Sequence, residues 1–571
     1  MAIASTGHHN GDIVDVIVFL KDLSHEAVME SFSEIYPNEY ALYVFVKQSE
    51  EPIASEDIDS DMLDAAISHK RQVYQEAYAE WNQRFIEKYA DKVEIAFASV
   101  YSPMLLVQTQ HQFLDEIEKD DMVEAVSICP VTVCANDSLA IANTMTRADY
   151  VRDTCGNRGS NVKIGLVEYV GKPDVTDSYL ANAAITICPT PIYGTTTSIH
   201  STRIARILVG TNPSTADDGF APDAQLFCSS FNGTNNLYDA IEWLISSGVC
   251  VINASIDTGE EGVYGPICKW IDHLAINHDV HFVTTSGNRG NNETFMITAP
   301  GLAYNAITVG GYDPGSETQW DYTSQPSIWA YSRYLETGSE YPEKPNLVAD
   351  CMNFWSTQSD GIGTSFAAPQ VAGVIAQLCS YNSTLKVKQT AMGAILMAAA
   401  ARKVDANNNG KVGSTFNSSV QVYGSSQISD KAGAGVLDAR WARDIVAGGK
   451  YWSPTVYDSG FPYLKTVSLS ADANKTVRVC ILWLRQNSIS GQSSQHPGST
   501  PSVGTVSDLD LQVIAPNNTT IATSTTLRGN FEIVQFTPTT SGTYTIKIID
   551  NGGHSGKDYI GIALWQGTTG Q

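Results

Sequence analysis

The sequence predicts an α/β protein: a parallel sheet flanked by helices, with a smaller α+β domain before it and a β-sandwich or jelly roll after it. Three changes in pattern along the 571 residues support this prediction. Strands and helices alternate loosely at the start, short apolar runs alternate with helical patterns in the middle, and strand-length segments separated by turns fill the end. We therefore expect domains at residues 1–135, 136–448 and 449–571.

The first domain has a β-α-β-α-β pattern. Residues 12–20 (DIVDVIVFL) predict a strand, and residues 61–90 have the character of one long helix. Residues 93–108 are rich in strand-forming side chains, and the segments HQFLDEIEKDDM and VEAVSICPVTV predict a second helix and a further strand. This order is typical of a small α+β domain.

The middle domain repeats a strand–helix rhythm. The runs VKIGLVEY, AQLFCSSF, VCVINASI and VHFVTTSG are nearly continuously apolar, and helical patterns such as NLYDAIEWLISSG separate them. Strands buried on both faces are typical of a parallel sheet covered by helices. Because Gly, Ser or Asn follows each strand, we expect a ligand crevice at the carboxyl ends of the strands.

The last domain alternates apolar and polar residues in segments such as TVSLSAD, DLDLQVIAP and GTYTIKIID. Turn-forming clusters such as APNN, TTSG and NGGHSG separate these segments. The pattern predicts strands with one buried face, as in an antiparallel sandwich or jelly roll.

Composition excludes several classes of function. Acidic residues outnumber basic residues by 61 to 35, for a formal net charge of −26, so binding to nucleic acid or to an anionic membrane is not expected. No apolar stretch reaches about 18–20 residues, and the N-terminus does not resemble a secretory signal. The ten cysteines are scattered singly, which predicts reduced and mostly buried thiols.

The segment GIGTSFAAPQVAGVIAQL, residues 361–378, is the strongest candidate for chemistry. A turn of small residues brings the Ser365 hydroxyl to the start of an apolar helix, and Pro369 fits the first turn of that helix. Helix N-termini present free N–H groups that stabilise a developing oxyanion. A serine that merely caps a buried helix would give the same local pattern.

The whole motif GTSFAAPQVAG resembles the nucleophile motif of subtilisin-like serine proteases, the subtilases of peptidase family S8. That family usually has His where this chain has Gln370, and that His is not catalytic. The resemblance implies a subtilisin-like fold and a serine endopeptidase in which Ser365 forms an acyl-enzyme.

The base and the acid of the triad should lie upstream of the serine. SIHSTRIARILVG resembles the family's histidine helix, which implies that His200 is the general base. VKIGLVEYVG resembles the strand that ends in the family's catalytic Asp, but here Glu168 stands in that place, 32 residues before His200. A glutamate can orient the imidazole in the same way. Asp174 or Asp177 as the acid remain alternatives, as does a degenerate site.

The same resemblance assigns the oxyanion donor and the substrate-binding residues. HFVTTSGNRG resembles the turn that carries the oxyanion Asn, which implies this role for Asn288. Two segments resemble the strands that hold an extended peptide, and two more positions correspond to the rim and the floor of the primary pocket. These substrate-binding residues are Ser229, Ser230, Phe231, Asn253, Ala254, Ser255, Arg289 and Thr298. We hypothesise a shallow S1 pocket that disfavours basic P1 residues.

The flanking regions also resemble parts of subtilases. Residues 12–133 resemble the inhibitory propeptide, which implies an intramolecular inhibitor and self-cleavage within residues 129–146. The resemblance requires no cofactor but allows calcium, for which Asp405 in DANNNG and the pair Asp508 and Asp510 are weak candidates. Expected partners are peptide or protein substrates, with no nucleic acid and no membrane. Secretion fits the family, whereas the lack of a visible signal fits the cytoplasm.

Two other functions remain open. One is a catalytically inactive subtilisin fold that binds a peptide or acts as a regulatory module. The other is a sedolisin-type acid peptidase, which also uses Glu and a GTS motif. A pH optimum near or above neutrality would favour His200 as the base, and a strongly acidic optimum would favour the sedolisin-type mechanism.

Overall fold

A computed structural model supplies the fold. It describes residues 13–128, 140–189, 196–211, 218–232, 234–258, 262, 264–288, 297–315, 327–329, 331–334, 343–351, 362–400, 431–457, 463–485, 489–490, 502–503, 508–525, 529–550 and 557–567. None of the helices within these ranges combines the length and the apolar character that crossing a membrane requires.

The N-terminal unit is an α+β structure with a four-stranded antiparallel sheet in the order β2-β3-β1-β4. Its elements are β1 (Ile13–Leu20), α1 (His25–Ile35), α2 (Pro37–Gln48), α3 (Ser60–Lys88), β2 (Val93–Ala98), β3 (Met104–Gln110), α4 (Leu114–Glu118) and β4 (Val123–Ile128). The sequence pattern missed α1 and α2. Local signals for both exist, because the Ser24 side chain accepts a hydrogen bond from the Ala27 N–H and Pro37 is the first residue of α2.

The central unit contains the parallel sheet that the sequence predicts. Its elements are α5 (Ala140–Met145), β5 (Lys163–Tyr169), β6 (Ala184–Ile187), α6 (Ile199–Val209), β7 (Gln225–Phe231), α7 (Thr234–Ser246), β8 (Val251–Ala254), α8 (Pro266–Asn277), β9 (His281–Thr285), β10 (Ala306–Asp313), β11 (Ser327–Ile328), β12 (Leu347–Asp350), α9 (Thr364–Tyr381), α10 (Gln389–Ala399) and α11 (Ala439–Ala447). The sheet order is β11-β10-β9-β8-β5-β7-β6, with β12 beside β10, and only the described pairing of β11 is antiparallel.

Helices cover both faces of this sheet. One core contains residues of α6, α9, α10 and α11, and a second contains residues of α7 and α8 together with one face of the N-terminal sheet. Helix α9 runs through the first core with every residue from Thr364 to Cys379 buried. It packs closely against Phe220, because a Cβ atom added to Gly373 would lie 2.3 Å from the Phe220 Cβ.

The C-terminal unit consists of antiparallel sheets. Its strands are β13 (Tyr451–Trp452), β14 (Thr455–Tyr457), β15 (Tyr463–Ala471), β16 (Thr476–Trp483), β17 (Ile489–Ser490), β18 (Ser502–Val503), β19 (Leu509–Ile514), β20 (Thr520–Ser524), β21 (Phe531–Phe536), β22 (Gly542–Asp550) and β23 (Lys557–Gly567). The sheets β13-β23-β16-β21 and β15-β22-β19-β20 share one apolar core. The unit contacts the central unit through β23, where Gly561 lies against the backbone of Thr390 in α10.

We predict that Gly373→Ala destabilises the protein while Gly393→Ala leaves it nearly unchanged. Both glycines lie in buried helices, but the new Cβ at position 393 would meet the movable end of Leu482, 2.8 Å away. At position 373 it would meet an atom next to the Phe220 backbone, so overpacking should lower the free energy of unfolding by about 1–3 kcal/mol. Urea unfolding in a Ser365→Ala background measures both effects, and equal shifts would contradict the prediction.

Candidate active site

Glu168 and His200 meet at the carboxyl end of the parallel sheet. Glu168 is the next-to-last residue of β5 and is 1% exposed, and His200 is the second residue of α6. The Glu168 Oε2 atom lies 2.5 Å from His200 Nδ1, and His200 Nε2 has no hydrogen-bond partner among the described residues. The carboxylate therefore holds one ring nitrogen and leaves the other available as a base.

The chain just after β5 and the chain just before α6 are bonded to each other, which explains why the Glu168 and His200 side chains meet. The chain reverses after β5 through Val170 and Gly171, which have φ values of 45° and 112°. The Ser198 N–H then donates to the Lys172 carbonyl over 2.8 Å, and the Ser198 side chain caps α6 by accepting from Ser201 N. The start of α6 is thus tied directly to the end of β5.

The alternative acids are bonded elsewhere. The Asp177 carboxylate accepts a hydrogen bond from Arg206 Nε at 2.8 Å. Asp174 accepts from both the hydroxyl and the backbone N–H of Thr176, and these bonds lower the pKa of the Asp174 carboxyl. Both carboxylates thus serve local turns and helices, which favours Glu168 as the partner of the histidine.

Asn288 is fixed by the residue that precedes Ser365. Its Oδ1 atom accepts hydrogen bonds from the Thr364 N–H at 2.9 Å and from the Thr364 hydroxyl at 2.7 Å. The Gly287 N–H donates to the same hydroxyl at 3.2 Å. Because Oδ1 is occupied twice, the amide NH₂ of Asn288 is the end of the side chain left for a ligand beside the start of α9.

Pro369 does not lie in the first turn of α9, where the sequence predicts it. It lies inside α9, five residues after its first residue. Proline has no N–H, so the helix cannot bond the carbonyl four residues earlier, which is that of Ser365. The Ser255 hydroxyl donates to this carbonyl at 2.8 Å, and Asn253 Nδ2 donates to the Ser255 hydroxyl at 3.0 Å.

Gln370 anchors the same part of α9. Its side-chain amide donates to the Asp350 carbonyl at 2.6 Å and to the Phe366 carbonyl at 2.8 Å. The Phe366 ring in turn lies 5.4 Å from the His200 ring, measured between centroids. Ser365 is buried, at 3% exposure, and makes no hydrogen bond to His200 Nε2. Such bonds are often long or absent before a substrate binds.

The two segments proposed to bind substrate, in β7 and β8, differ in how they pair within the sheet. Strand β7 pairs with β6 only as far as Cys228, so Ser229, Ser230 and Phe231 extend beyond the described end of β6. Strand β8 instead lies between β5 and β9 through Ala254. Asn253 and Ala254 are thus paired with a strand on each side, so strand addition at these two residues is not supported, and their role in substrate binding stays a prediction.

The pocket residues are placed only in part. Thr298 is buried, and its carbonyl accepts a hydrogen bond from the Gly301 N–H, whereas Arg289 lies outside the described residues. The sequence reasoning missed Arg333, which is 1% exposed. The backbone N–H of Arg333 donates to the Gly287 carbonyl at 3.2 Å, and its side-chain Nη1 atom lies 3.6 Å from Asp257 Oδ2. Arg333 thus joins the oxyanion turn to the segment that follows β8.

The described residues give little support to the calcium candidates of the sequence analysis. Within the described ranges, no three His, Cys, Asp or Glu side chains come together as a metal site would require. Asp508 is half-buried, and burial together with Asp510 and Asp550 raises the pKa of its carboxyl to about 6. The DANNNG segment at Asp405 lies outside the described residues. Seven of the eight described cysteines are buried.

Comparison with known proteins points to one family. The model of the subtilase family matches residues 171–435, a span that contains His200, Asn288 and Ser365 and begins just after Glu168. Subtilisin DY of Bacillus licheniformis is 27% identical over 253 residues, which cover 43% of this chain and 86% of that protein. Subtilisin E of Bacillus subtilis (strain 168) is 26% identical over 246 residues, 40% of this chain and 58% of that protein.

Among solved structures, the patellamide maturation protease PatA aligns with 51% of this chain and covers 98% of its own chain, at 20% identity and a TM-score of 0.37. The assignment depends on the family model and on the sequence relatives. Over residues 171–435, this chain is therefore similar to the subtilase family of serine peptidases.

Proposed function

We propose that this protein is a serine endopeptidase that uses Ser365 as nucleophile, His200 as general base, Glu168 as the orienting acid and Asn288 as an oxyanion donor. The observation that carries the proposal is the 2.5 Å contact between Glu168 and His200 Nδ1, which leaves Nε2 free at the start of the helix that holds Ser365. The match of residues 171–435 to the subtilase family supports the roles of His200, Asn288 and Ser365.

In the proposed reaction, the Ser365 Oγ attacks the scissile carbonyl while His200 Nε2 takes the hydroxyl proton. The Asn288 amide and the Ser365 N–H donate to the tetrahedral oxygen. His200 gives the proton to the leaving amine as the C–N bond breaks, and water then hydrolyses the acyl-enzyme by the same proton route. Glu168 keeps the imidazole in the required tautomer and stabilises its charged form.

For the substrate, we infer an extended peptide that adds as a strand beside Ser229, Ser230 and Phe231 and passes the chain that follows β8. The end of the β6–β7 pairing at Cys228 supports this arrangement, because β7 continues to Phe231. We keep the hypothesis of a shallow S1 pocket that disfavours basic P1 residues, with Arg289 and Thr298 at its boundary.

We further propose that the N-terminal unit is a propeptide and that the C-terminal unit is an appended jelly roll, with boundaries near residues 135 and 448. The N-terminal sheet packs on α7 and α8, where the Phe97 ring lies 5.5 Å from that of Tyr238. Burial raises the pKa of Glu242 in α7 to about 8, and this carboxyl accepts hydrogen bonds from Ser99 and from the Val100 N–H. Calcium at the C-terminal acidic residues remains part of this proposal.

We predict that Glu168→Gln lowers kcat for peptide hydrolysis by about 10³–10⁴ with a small effect on KM. The Gln amide would donate to Nδ1 and thereby place the imidazole proton on Nε2, where it blocks general-base action. Glu168→Asp should lose less, because it keeps the charge but shortens the side chain by one methylene. The control is Asp177→Asn, which should lose little, since Asp177 bonds Arg206. An equal loss in the control would favour Asp177 as the acid.

We predict that Asn288→Ala lowers kcat by about 10²–10³, the range for the loss of one oxyanion donor, and leaves KM nearly unchanged. Thr364→Val should give part of this loss because it removes one of the two bonds that orient the amide, whereas Thr364→Ser should retain activity. Steady-state kinetics on one quenched fluorescent peptide measures all three. An increase of KM alone in Asn288→Ala would contradict the oxyanion role.

Intact mass of the freshly expressed protein beside Ser365→Ala tests the proposed function as a whole. We expect the wild type to be split within residues 129–146 and the variant to remain whole. If both remain whole, the second candidate gains support: an inactive subtilisin fold that binds or regulates, for which the missing hydrogen bond between the buried Ser365 and His200 Nε2 is the supporting observation. Cleavage of both at the same place would indicate a host protease.

A further inference from the structure

A buried charge network joins the N-terminal unit to the central unit. Asp279, two residues before β9, has a fully buried side chain that forms ion pairs with Lys47 of α2 at 2.7 Å and Lys70 of α3 at 2.6 Å. Burial opposes ionisation of Asp279, but the two lysines outweigh it and lower the pKa of the carboxyl. Lys47 and Lys70 of the N-terminal unit thus surround the Asp279 carboxylate of the central unit in a site that is closed to water.

Each lysine is also satisfied by further partners. The Lys47 ammonium donates to the Val387 carbonyl at 2.7 Å and to Gln389 Oε1 at 2.9 Å, so three central-unit oxygens surround it. The Lys70 ammonium donates to the Tyr43 hydroxyl at 2.7 Å. Buried ion pairs with such complete hydrogen bonding are costly to break, because removal of one partner leaves the other charge buried and unpaired.

Arg71 adds a second connection of the same kind. Its guanidinium is 3% exposed and donates to the carbonyls of His278 at 2.8 Å, Ile245 at 3.1 Å and Val249 at 2.9 Å. The Ile245 carbonyl lies in the last turn of α7, where a cation is also favoured by the helix dipole. Arg71 therefore closes the end of a helix of the central unit.

The same helices reach the C-terminal unit. Glu50, just after α2, accepts the Ser453 N–H at 3.0 Å through its carbonyl and forms an ion pair with Lys465 through its side chain. The Lys47 ammonium also lies 5.5 Å from the centre of the Tyr559 ring in β23. Helices α1 to α3 thus contact both other units at one junction.

Apolar and polar contacts extend this junction along residues 382–388 of the central unit. Val387 belongs to the apolar cluster formed by α1, α2 and α3. The Asn382 amide donates to the Ile53 carbonyl at 2.8 Å, Lys388 donates to the Ser49 carbonyl at 2.7 Å, and Lys386 pairs with Asp64 at 2.8 Å. We call this surface, with Asp279 at its centre, the anchor surface.

We propose that the anchor surface makes the N-terminal unit a permanent structural partner of this protein, which holds the central and C-terminal units together and stays bound after the chain is cut between residues 128 and 140. The proposal rests on the proposed function only for the source of that cut. An inhibitor that leaves would have to expose Val387 and its cluster and separate Lys47 and Lys70 from Asp279. The N-terminal unit is therefore a subunit that persists.

The test separates binding from catalysis by use of the inactive Ser365→Ala chain. The recognition sequence of a heterologous site-specific endopeptidase is inserted between residues 128 and 140, and the chain is cut completely. After dilution to nanomolar concentration, native mass spectrometry and gel filtration follow the two fragments. We expect them to remain together in 1 M NaCl, because salt screens buried pairs weakly. Separate elution of the N-terminal fragment in physiological buffer would overturn the proposal.

The variant Asp279→Asn tests whether the buried charge network holds the two fragments together. Asp279→Asn keeps the side-chain size and tolerates the φ of 50° at this position, but it leaves Lys47 and Lys70 without a counter-charge. We expect the fragments to dissociate about 10²–10³-fold faster. The matched control is Asp115→Asn, whose exposed pair with Lys119 lies away from the anchor surface. An unchanged rate in Asp279→Asn would overturn the role of the charge network.

If the cut Asp279→Asn chain fails to fold, its uncut form serves instead. The uncut chain is unfolded in urea, and hydrogen exchange at β23 is the readout. The amides of β23 should then lose protection at a lower urea concentration than in the control. Equal protection in both chains would contradict the bridging role. Neither measurement depends on whether Ser365 is a nucleophile, so a failure of this proposal and a failure of the proposed function give different results.

Discussion

The buried start of α9 is the constraint on which the site depends. Three separate segments must reach it: Asn288 bonds Thr364, the Ser255 hydroxyl bonds the Ser365 carbonyl, and the Phe366 ring packs against His200. The position of Pro369 makes one of these contacts necessary, because it leaves the Ser365 carbonyl without its helical partner. The helix, with all residues from Thr364 to Cys379 buried, cannot shift without disturbing the packing of the central core.

A glutamate in the position of the family's aspartate is accommodated by the surrounding geometry. The longer side chain reaches His200 Nδ1 at 2.5 Å, and the carboxylate is almost completely buried. The loop after β5 is bonded to Ser198 at the start of α6, so strand and helix cannot move apart. The proposed triad therefore differs from the family pattern in the length of the acid, while the hydrogen bond to the histidine is present.

Much of the central unit could be predicted from the sequence, because a parallel sheet requires long apolar runs followed by small polar residues. The same rule brought Glu168 and Asn288 to one edge of the sheet, where motif resemblance could identify them. The anchor surface could not be predicted, since Lys47 and Lys70 are 232 and 209 residues from Asp279 and such distant contacts leave no local pattern. Arg333 was missed for the same reason, and the two neighbours of β8 could not be predicted because sequence does not reveal which strands are paired on both sides.

Gln370 has a further consequence for how the site responds to its surroundings. The family usually has an imidazole in this position, whose hydrogen bonding changes when it gains a proton. An amide has a single protonation state in water, so its bonds to the Asp350 and Phe366 carbonyls persist whatever the acidity outside. The backbone beneath Ser365 thus keeps both of these hydrogen bonds when the surroundings become acidic, and the start of α9 keeps its shape.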